Sequence, residues 1–333
     1  MSLGTMTWGE QNTQDEAFAQ LDLAVERGVN LIDTAELYAV PPRPETYGVT
    51  ERILGAWLEA RGHGVRDDLV LATKVVGQNT RLGHIRGGSA RLDAQHIAEA
   101  LDASLKRLGL DYIDLYQLHW PDRHVNNFGA LGYLPGDDRN ATPPEETLRV
   151  LEQLMTLGKV RHVGLSNETP WGVMTFQRLA DQGSGPRMVS VQNPYSLLNR
   201  SFEVGLAEVA HREGIGLLAY SPLAMGMLTG KYRHGARPHG ARLSVYPHFT
   251  RYTSERAARA VDAYAAVAAE AGVSLTALAL AFVNQQPFVT SNILGATSVA
   301  QLKENLDAAE TCLDSDTLDA IDAVHREISN PCP

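Results

Sequence analysis

Asp33, Tyr38, Lys74 and His119 are the residues of this chain whose types and spacing suit one piece of chemistry. Asp33 closes the apolar run NLID, Lys74 stands near the end of LVLATKV, and His119 closes YIDLYQLH. Tyr38 follows Asp33 in the loop leaving the first of those runs. A phenol with an ordinary pKa of about 10 is a poor acid at neutral pH, but a close ammonium favours the phenolate. Bringing it near neutrality takes about 4 kcal/mol of differential interaction, which one desolvated cation supplies. Lys74 is the candidate cation, and Asp33 the anion that keeps it charged and oriented. An acid ending a buried strand is costly unless something satisfies it, so this pairing is expected on both sides. His119 then hydrogen-bonds the oxygen that Tyr38 protonates. Such a site protonates a developing alkoxide, and the hydride must come from elsewhere.

A frame that presents several strand ends together is required. Thr13 and Glu16 have capping-box spacing, and Phe18, Leu21 and Val25 share one face of a helix that stops at Gly28. A helix over 50–61 and strand LVLATKVV over 69–76 follow, then a helix from Asp93 to Leu108 and strand Tyr112 to His119. The order continues through EETLRVLEQLMTLG, RHVGLSN, WGVMTFQRLADQG, MVSVQN, EVGLAEVAHREG, GLLAYSPL and FVTSNILGA, closing on helices from Ser298 to Glu310 and Ser315 to Ile328. Strand then helix, repeated eight times, predicts α/β architecture with a parallel sheet closed as a (β/α)8 TIM barrel, one domain over residues 1–333. A doubly wound open sheet is the competitor. It would want a G-x-G-x-x-G turn after the first strand, which GTMTWG lacks. The polar residues also sit at the ends of nearly every strand, where barrels keep active sites, whereas an open sheet concentrates them at one switch point.

Lys and Arg number 29 against 39 Asp and Glu, a net charge of -10, with no block of like charge. Nucleic acid and anionic membrane surfaces are therefore not expected partners. The two cysteines, Cys312 and Cys332, lack metal-ligand spacing and suit a reducing compartment. With no apolar run of spanning length and no signal-like start, the cytoplasm is the expected location. Nothing in the sequence fixes an oligomeric state.

The later strand ends suit a cofactor. Ser166, Asn167 and Gln192 offer amides and a hydroxyl to a carboxamide, and Tyr220 offers a flat face to a heteroaromatic ring. Ser221 and the small residues of PLAMGMLTGK let backbone approach a pyrophosphate, and Lys231 adds charge. Thr297, Gln301 and Asn305 share a face where a helix N-terminus favours phosphate. Together they read as a dinucleotide extended across the rim. Singly, each has a plainer explanation: a strand-end Asp as a cap, a Tyr or Lys as surface, Thr297 as a helix cap, Gly226 and Gly230 as turn glycines. Their placement in order on one rim is what favours chemistry. The other histidines, among them His124, His162, His211 and His325, lack ligand spacing, so no metal site is expected. The loop from Asn126 to Asn140 reads equally as a substrate lid or as an insertion.

The segments IDTAELYAVPPRPETYG, ATKV, LYQLHWP, GLSNE, VQNPYSLLNRSFEVGLAEVA, AYSPLAMGMLTGKY and LGATSVAQLKENL resemble the aldo-keto reductase superfamily, in its bacterial Tas branch. The resemblance runs nearly the whole chain. It implies a barrel that binds NADP(H) without a Rossmann domain and reduces small-molecule aldehydes or ketones. It implies Tyr38 as general acid, Lys74 and Asp33 as its supporting pair, and His119 as the residue orienting the carbonyl. Cofactor contacts are implied at Thr5, Met6, Ser166, Asn167, Gln192, Tyr220, Ser221, Pro222, Leu223, Ala224, Met225, Lys231, Arg242, Gly295, Thr297, Gln301, Glu304 and Asn305, with Lys231 and Arg242 on the 2′-phosphate. Family members usually begin with a β-hairpin that plugs the barrel floor. Here Met1 stands just before the GTM segment, so that hairpin is expected to be absent or to lie upstream of a late start. The loops at 37–48, 120–144 and 245–252 are expected to set the substrate. A nicotinamide-binding sensor with slow turnover, like the relatives attached to potassium channels, is the alternative. A metal-dependent hydrolase lacks its ligands.

Overall fold

The computed structural model describes residues 1–332, and Pro333, the last residue of the expected domain, lies outside the described residues. Parallel strands close a barrel in sequence order: β1 (Ser2–Gly4), β2 (Leu31–Asp33), β3 (Val70–Val75), β4 (Ile113–Leu118), β5 (Val160–Ser166), β6 (Ser190–Pro194), β7 (Gly216–Tyr220) and β8 (Val289–Leu294). Closure falls to β1, which with β2 is one of the two shortest: Leu3 stands beside Ile32 on one side and Leu294 on the other. The described chain opens directly on this strand, with Met1 packed against the core.

The helices are α1 (Gln14–Glu26), α2 (Val49–Arg61), α3 (His63–Asp67), α4 (Ala94–Leu108), α5 (Pro144–Thr156), α6 (Pro170–Asp181), α7 (Leu206–Glu213), α8 (Arg242–Val245), α9 (Glu255–Glu270), α10 (Leu275–Asn284), α11 (Val299–Asp307) and α12 (Ser315–Glu327). The capping box of α1 forms reciprocally, Glu16 N–H to Thr13 Oγ1 at 3.3 Å and Thr13 N–H to Glu16 Oε2 at 2.9 Å. Asp93 caps α4, and Gly109 ends it at φ 68°, a left-handed position that suits glycine. Two short helices, α3 and α8, have too few turns to show periodicity, and the sequence reading missed them. The helix expected to reach Glu310 stops as α11 at Asp307 and continues as a 3₁₀ turn, Ala308–Glu310. No single described helix is long and apolar enough to cross a membrane. Only α9 and α10 taken together meet that test, across a 91° bend, and α10 is almost wholly buried in the core.

The barrel interior explains how the polar strand ends come to face one another. Ala72, Leu115, Leu218 and Ile293, with Leu31 and Tyr220 against them, form an apolar cluster separate from the larger core. Side chains alternate along a strand, so the next positions on the same face are Asp33, Lys74, Gln117 and Tyr220. One more step along β4 reaches His119. The apolar plug of the barrel thus becomes a polar layer at its C-terminal mouth, where such barrels keep their chemistry.

Candidate active site

Asp33 and Lys74 are the buried centre of that layer, with side-chain exposures of 3% and 0%. Lys74 Nζ donates to Asp33 Oδ2 at 2.6 Å and to the Thr34 carbonyl at 2.8 Å, and lies 3.4 Å from the Tyr38 hydroxyl. Asp33 Oδ1 accepts from Gln117 Nε2 at 3.1 Å and Gln192 Nε2 at 2.8 Å. Every carboxylate oxygen is therefore satisfied, the condition for keeping a buried charge. Burial works against the Lys74 ammonium, but Asp33 and Tyr38 outweigh it and raise its pKa.

Tyr38 is partly buried on the loop after β2, with its ring 4.9 Å from Lys74 Nζ and 5.8 Å from the His119 ring in an edge-on arrangement. Its pKa corrects the sequence reading, which had Lys74 drawing the phenol down. Burial pushes it above the ordinary value and is the largest influence, with Lys74 pulling the other way. The phenol therefore stays protonated at neutral pH. Burial, helped by the Lys74 charge, holds His119 well below the usual imidazole range, so its ring is neutral. Its backbone is fixed at both ends, the amide donating to Val75 O at 2.8 Å and the carbonyl accepting from Asn167 Nδ2 at 2.9 Å. Its Nδ1 is buried with no protein partner among the described residues.

On the far side of the mouth, Ser166, Asn167 and Tyr220 form one hydrogen-bonded group. The Tyr220 hydroxyl donates to Asn167 Oδ1 at 2.7 Å, and Asn167 Nδ2 donates to Ser166 Oγ at 3.2 Å. Gln192 was expected to face a carboxamide. Its nitrogen is instead turned inward onto Asp33 and Gln117, leaving its oxygen as the outward group. Thr5 ties the mouth to β2 by donating to Asp33 O at 2.9 Å, and Met6 O accepts from Val40 N–H at 2.9 Å, joining its loop to that of Tyr38.

The loop after β7 is held in an unusual backbone. Ser221, Ala224 and Met225 have φ of 56°, 48° and 55°, and Gly226 continues at 94°. Asn167 adds φ 52° at the end of β5. Left-handed backbone at non-glycine residues gathers at functional sites. Within this turn the Ala224 N–H donates to Ser221 O at 2.9 Å and the Gly226 N–H to Leu223 O at 2.8 Å. Pro222 and Leu223 complete the turn. Beyond it, Lys231 and Arg242 face each other. Burial first and Arg242 second lower the Lys231 pKa, against the pull of Glu304, and burial lowers that of Arg242. No carboxylate forms an ion pair with either among the described residues, and the Arg242 guanidinium reaches only Gln11 Oε1, at 3.4 Å. Gly295 precedes α11, whose cap Ser298 accepts from Gln301 N–H at 3.2 Å. Gln301 Oε1 accepts from both Thr297 N–H and Oγ1 at 3.1 Å, and Asn305 Nδ2 lies 3.5 Å from Gly295 O.

Three neighbours escaped the sequence reading. Gln117 lies one same-face step before His119, a signal that strand alternation carries. Trp120 packs its ring 4.9 Å from that of His119. Arg251 Nη1 lies 3.4 Å from the Tyr220 hydroxyl, a long-range contact with no local pattern.

A sequence model of the Aldo/keto reductase family matches residues 1–326. Protein tas of Escherichia coli (strain K12) is 52% identical over 335 aligned positions, covering 100% of this chain and 96% of the relative. An aldo-keto reductase of Babesia bovis is 42% identical over 78% of this chain and 94% of its own length. A probable voltage-gated potassium channel subunit beta of Arabidopsis thaliana is 32% identical over 92% of this chain and 85% of its own. With its closed eight-stranded barrel and a family match along nearly its full length, this chain belongs to the aldo/keto reductase family of oxidoreductases.

Proposed function

We propose that the chain reduces aldehydes or ketones to alcohols with NADP(H), Tyr38 being the general acid. The observation that carries the reading is the position of Lys74 Nζ, 2.6 Å from Asp33 and 3.4 Å from the Tyr38 hydroxyl, at the barrel end that holds His119.

The rim fits the cofactor. Lys231 and Arg242 are mutually repelling cations with no ion-paired carboxylate among the described residues, a place for the 2′-phosphate, and the capped start of α11 suits phosphate oxygens. Ser166, Asn167 and Gln192 Oε1 suit a carboxamide above Tyr220. The bound cofactor supplies the hydride. Tyr38 gives its proton to the carbonyl oxygen as negative charge develops there. An alkoxide is a far stronger base than a phenolate, so even a phenol held above its ordinary pKa delivers the proton. Lys74 stabilises the phenolate left behind, and Asp33, with two amides on its other oxygen, keeps Lys74 in place. Neutral His119 donates to the carbonyl oxygen and sets its direction. A positioned acid of this kind contributes about 10²- to 10⁴-fold.

The partners are small carbonyl compounds. A net charge of -10 argues against nucleic acid or anionic membrane, and the cytoplasm is the proposed location. The potassium-channel relatives favour a second reading, a nicotinamide-binding sensor with slow turnover. Mixing the protein with NADPH and 4-nitrobenzaldehyde and following NADPH absorbance separates the two. Steady multiple turnover supports the reductase, and saturable binding without turnover supports the sensor.

A further inference from the structure

The loop between β3 and α4 contains none of the residues assigned above, yet it is fastened on both sides to loops that do. On one side Arg86 grips Glu36 with two parallel bonds, Nη1 to Oε2 at 2.8 Å and Nη2 to Oε1 at 2.7 Å. Glu36 stands two residues before Tyr38 and is fully buried. It also accepts from the Tyr47 hydroxyl at 2.9 Å and from Val76 N–H at 2.9 Å. On the other side Asp122 accepts from Gln78 N–H at 2.7 Å and Leu92 N–H at 2.8 Å, near the two ends of the same loop. Trp120, next to His119, donates from Nε1 to Gln78 O at 3.2 Å. Between the fastenings lies a small apolar cluster of Leu37, Val76, Ile85, Ala90 and Trp120, with Tyr38 and Tyr47 packed on it.

A buried ion pair is weak grounds for stability, because well-packed apolar side chains of the same volume often do as well. What a forked guanidinium and carboxylate contact supplies is geometry, fixing distance and plane where apolar packing lets loops slide. The backbone at Arg86 points the same way. It sits at φ 45°, unfavourable for a residue with a Cβ, and is followed by Gly87 and Gly88 at 64° and 76°. Such strain persists where the surroundings dictate the conformation, and here they do so at the residue that reaches Glu36.

We propose that Arg86 is a positioning residue for the proton donor: acting through Glu36, it sets where the Tyr38 hydroxyl stands between Lys74 and His119. This rests on the reading of Tyr38 as general acid. The test compares Arg86→Lys, Arg86→Met and the double variant Glu36→Gln with Arg86→Met, which leaves no unpaired buried charge, each assayed well below its own melting temperature. NADPH affinity is read by fluorescence and turnover by NADPH absorbance with 4-nitrobenzaldehyde, in H₂O and D₂O. The expected result is turnover lowered about 10- to 100-fold, the share of a general acid left in place but misaligned. NADPH affinity stays within twofold and the solvent isotope effect grows as proton transfer slows. Arg86→Lys recovers folding but only part of turnover, since an ammonium cannot make the fork. Folded variants with turnover within twofold of the parent and an unchanged solvent isotope effect overturn the proposal. So does lowered turnover with an unchanged isotope effect, because a merely structural role has that signature. Tyr38→Phe is run alongside. Full activity there sinks the general-acid reading itself, whereas loss there with parent-like Arg86 variants sinks only the positioning role.

Discussion

Replacing Lys74 with Met separates the two jobs proposed for its ammonium, holding Asp33 and stabilising the Tyr38 phenolate. Its side chain has 0% exposure, and it holds Asp33 Oδ2 at 2.6 Å and Thr34 O at 2.8 Å. Met fills similar volume, so the loss is electrostatic. Asp33 keeps its amide partners, Gln117 and Gln192, on Oδ1 but nothing on Oδ2. Breaking a buried pair from one side costs about 3–5 kcal/mol because the remaining charge is uncompensated. Domains of 150–250 residues lose about 2–4 °C per kcal/mol, and larger ones somewhat less, giving a fall in melting temperature of roughly 5–15 °C. The double variant, Asp33→Asn with Lys74→Met, removes the stranded charge, and its new carboxamide still accepts from Gln117 and Gln192. It is expected to regain most of the lost stability. Turnover is expected to return in neither variant, because on the proposed mechanism the phenolate of Tyr38 has lost its cation. Thermal and urea unfolding give the stabilities, and NADPH absorbance gives the rates. A single variant destabilised by less than about 1 kcal/mol, the range of an exposed pair, refutes the argument. So does a double variant less stable than the single one.

Lys231→Met and Arg242→Met are each expected to weaken NADPH binding about 10- to 150-fold, the loss of one charge-assisted hydrogen bond, with NADH changed far less; equal weakening of the two would place the 2′-phosphate elsewhere. His119 is neutral in the native state because its pKa lies well below 6.5. The unfolded chain therefore binds more protons below that pH, and His119 makes stability fall as pH drops through about 6.5. Unfolding from pH 5 to 8 is expected to show a steeper acid-side loss in the parent than in His119→Asn, and equal slopes would contradict the assignment. Because that ring is already neutral and the phenol is held above its ordinary value, turnover is expected to show no ionisation near pH 6.5 and to stay level up to about pH 9, so a fall across that interval counts against both pKa directions. At Gly77 a Cβ would overlap the Trp120 carbonyl oxygen, so Gly77→Ala is expected to cost about 1–3 kcal/mol and to lower turnover by moving His119; parent-like unfolding and rates would show that the strand ends yield freely.

The residues that were legible in the sequence share a cause. Asp33, Lys74 and His119 end apolar runs, and a barrel turns strand ends into neighbours, so order along the chain becomes proximity at the mouth. Alternation also carried Gln117, two positions before His119, although it was not singled out. What stayed hidden depends on distance and burial. The contact of Glu36 with Arg86 joins residues far apart in sequence, each of which looks alone like a solvated charge. The phenol of Tyr38 illustrates the second limit: a sequence shows a cation nearby but not how much water has been removed, and here the lost water outweighs Lys74. Gln192 turned toward Asp33 for a related reason, since a buried carboxylate oxygen recruits whatever donor reaches it. The left-handed run after β7 falls mostly on residues other than glycine and gives no compositional sign.

Transfer of label in a single turnover tests the central claim most directly. The protein is loaded with NADPH carrying deuterium at both C4 positions of the nicotinamide and mixed with 4-nitrobenzaldehyde, and the alcohol is analysed by mass spectrometry, in parallel with Tyr38→Phe. Deuterium on the carbinol carbon in the parent, with Tyr38→Phe still binding the cofactor but forming almost no alcohol, is the predicted outcome. Unlabelled alcohol from the parent, or equal label transfer without the phenol, would contradict it.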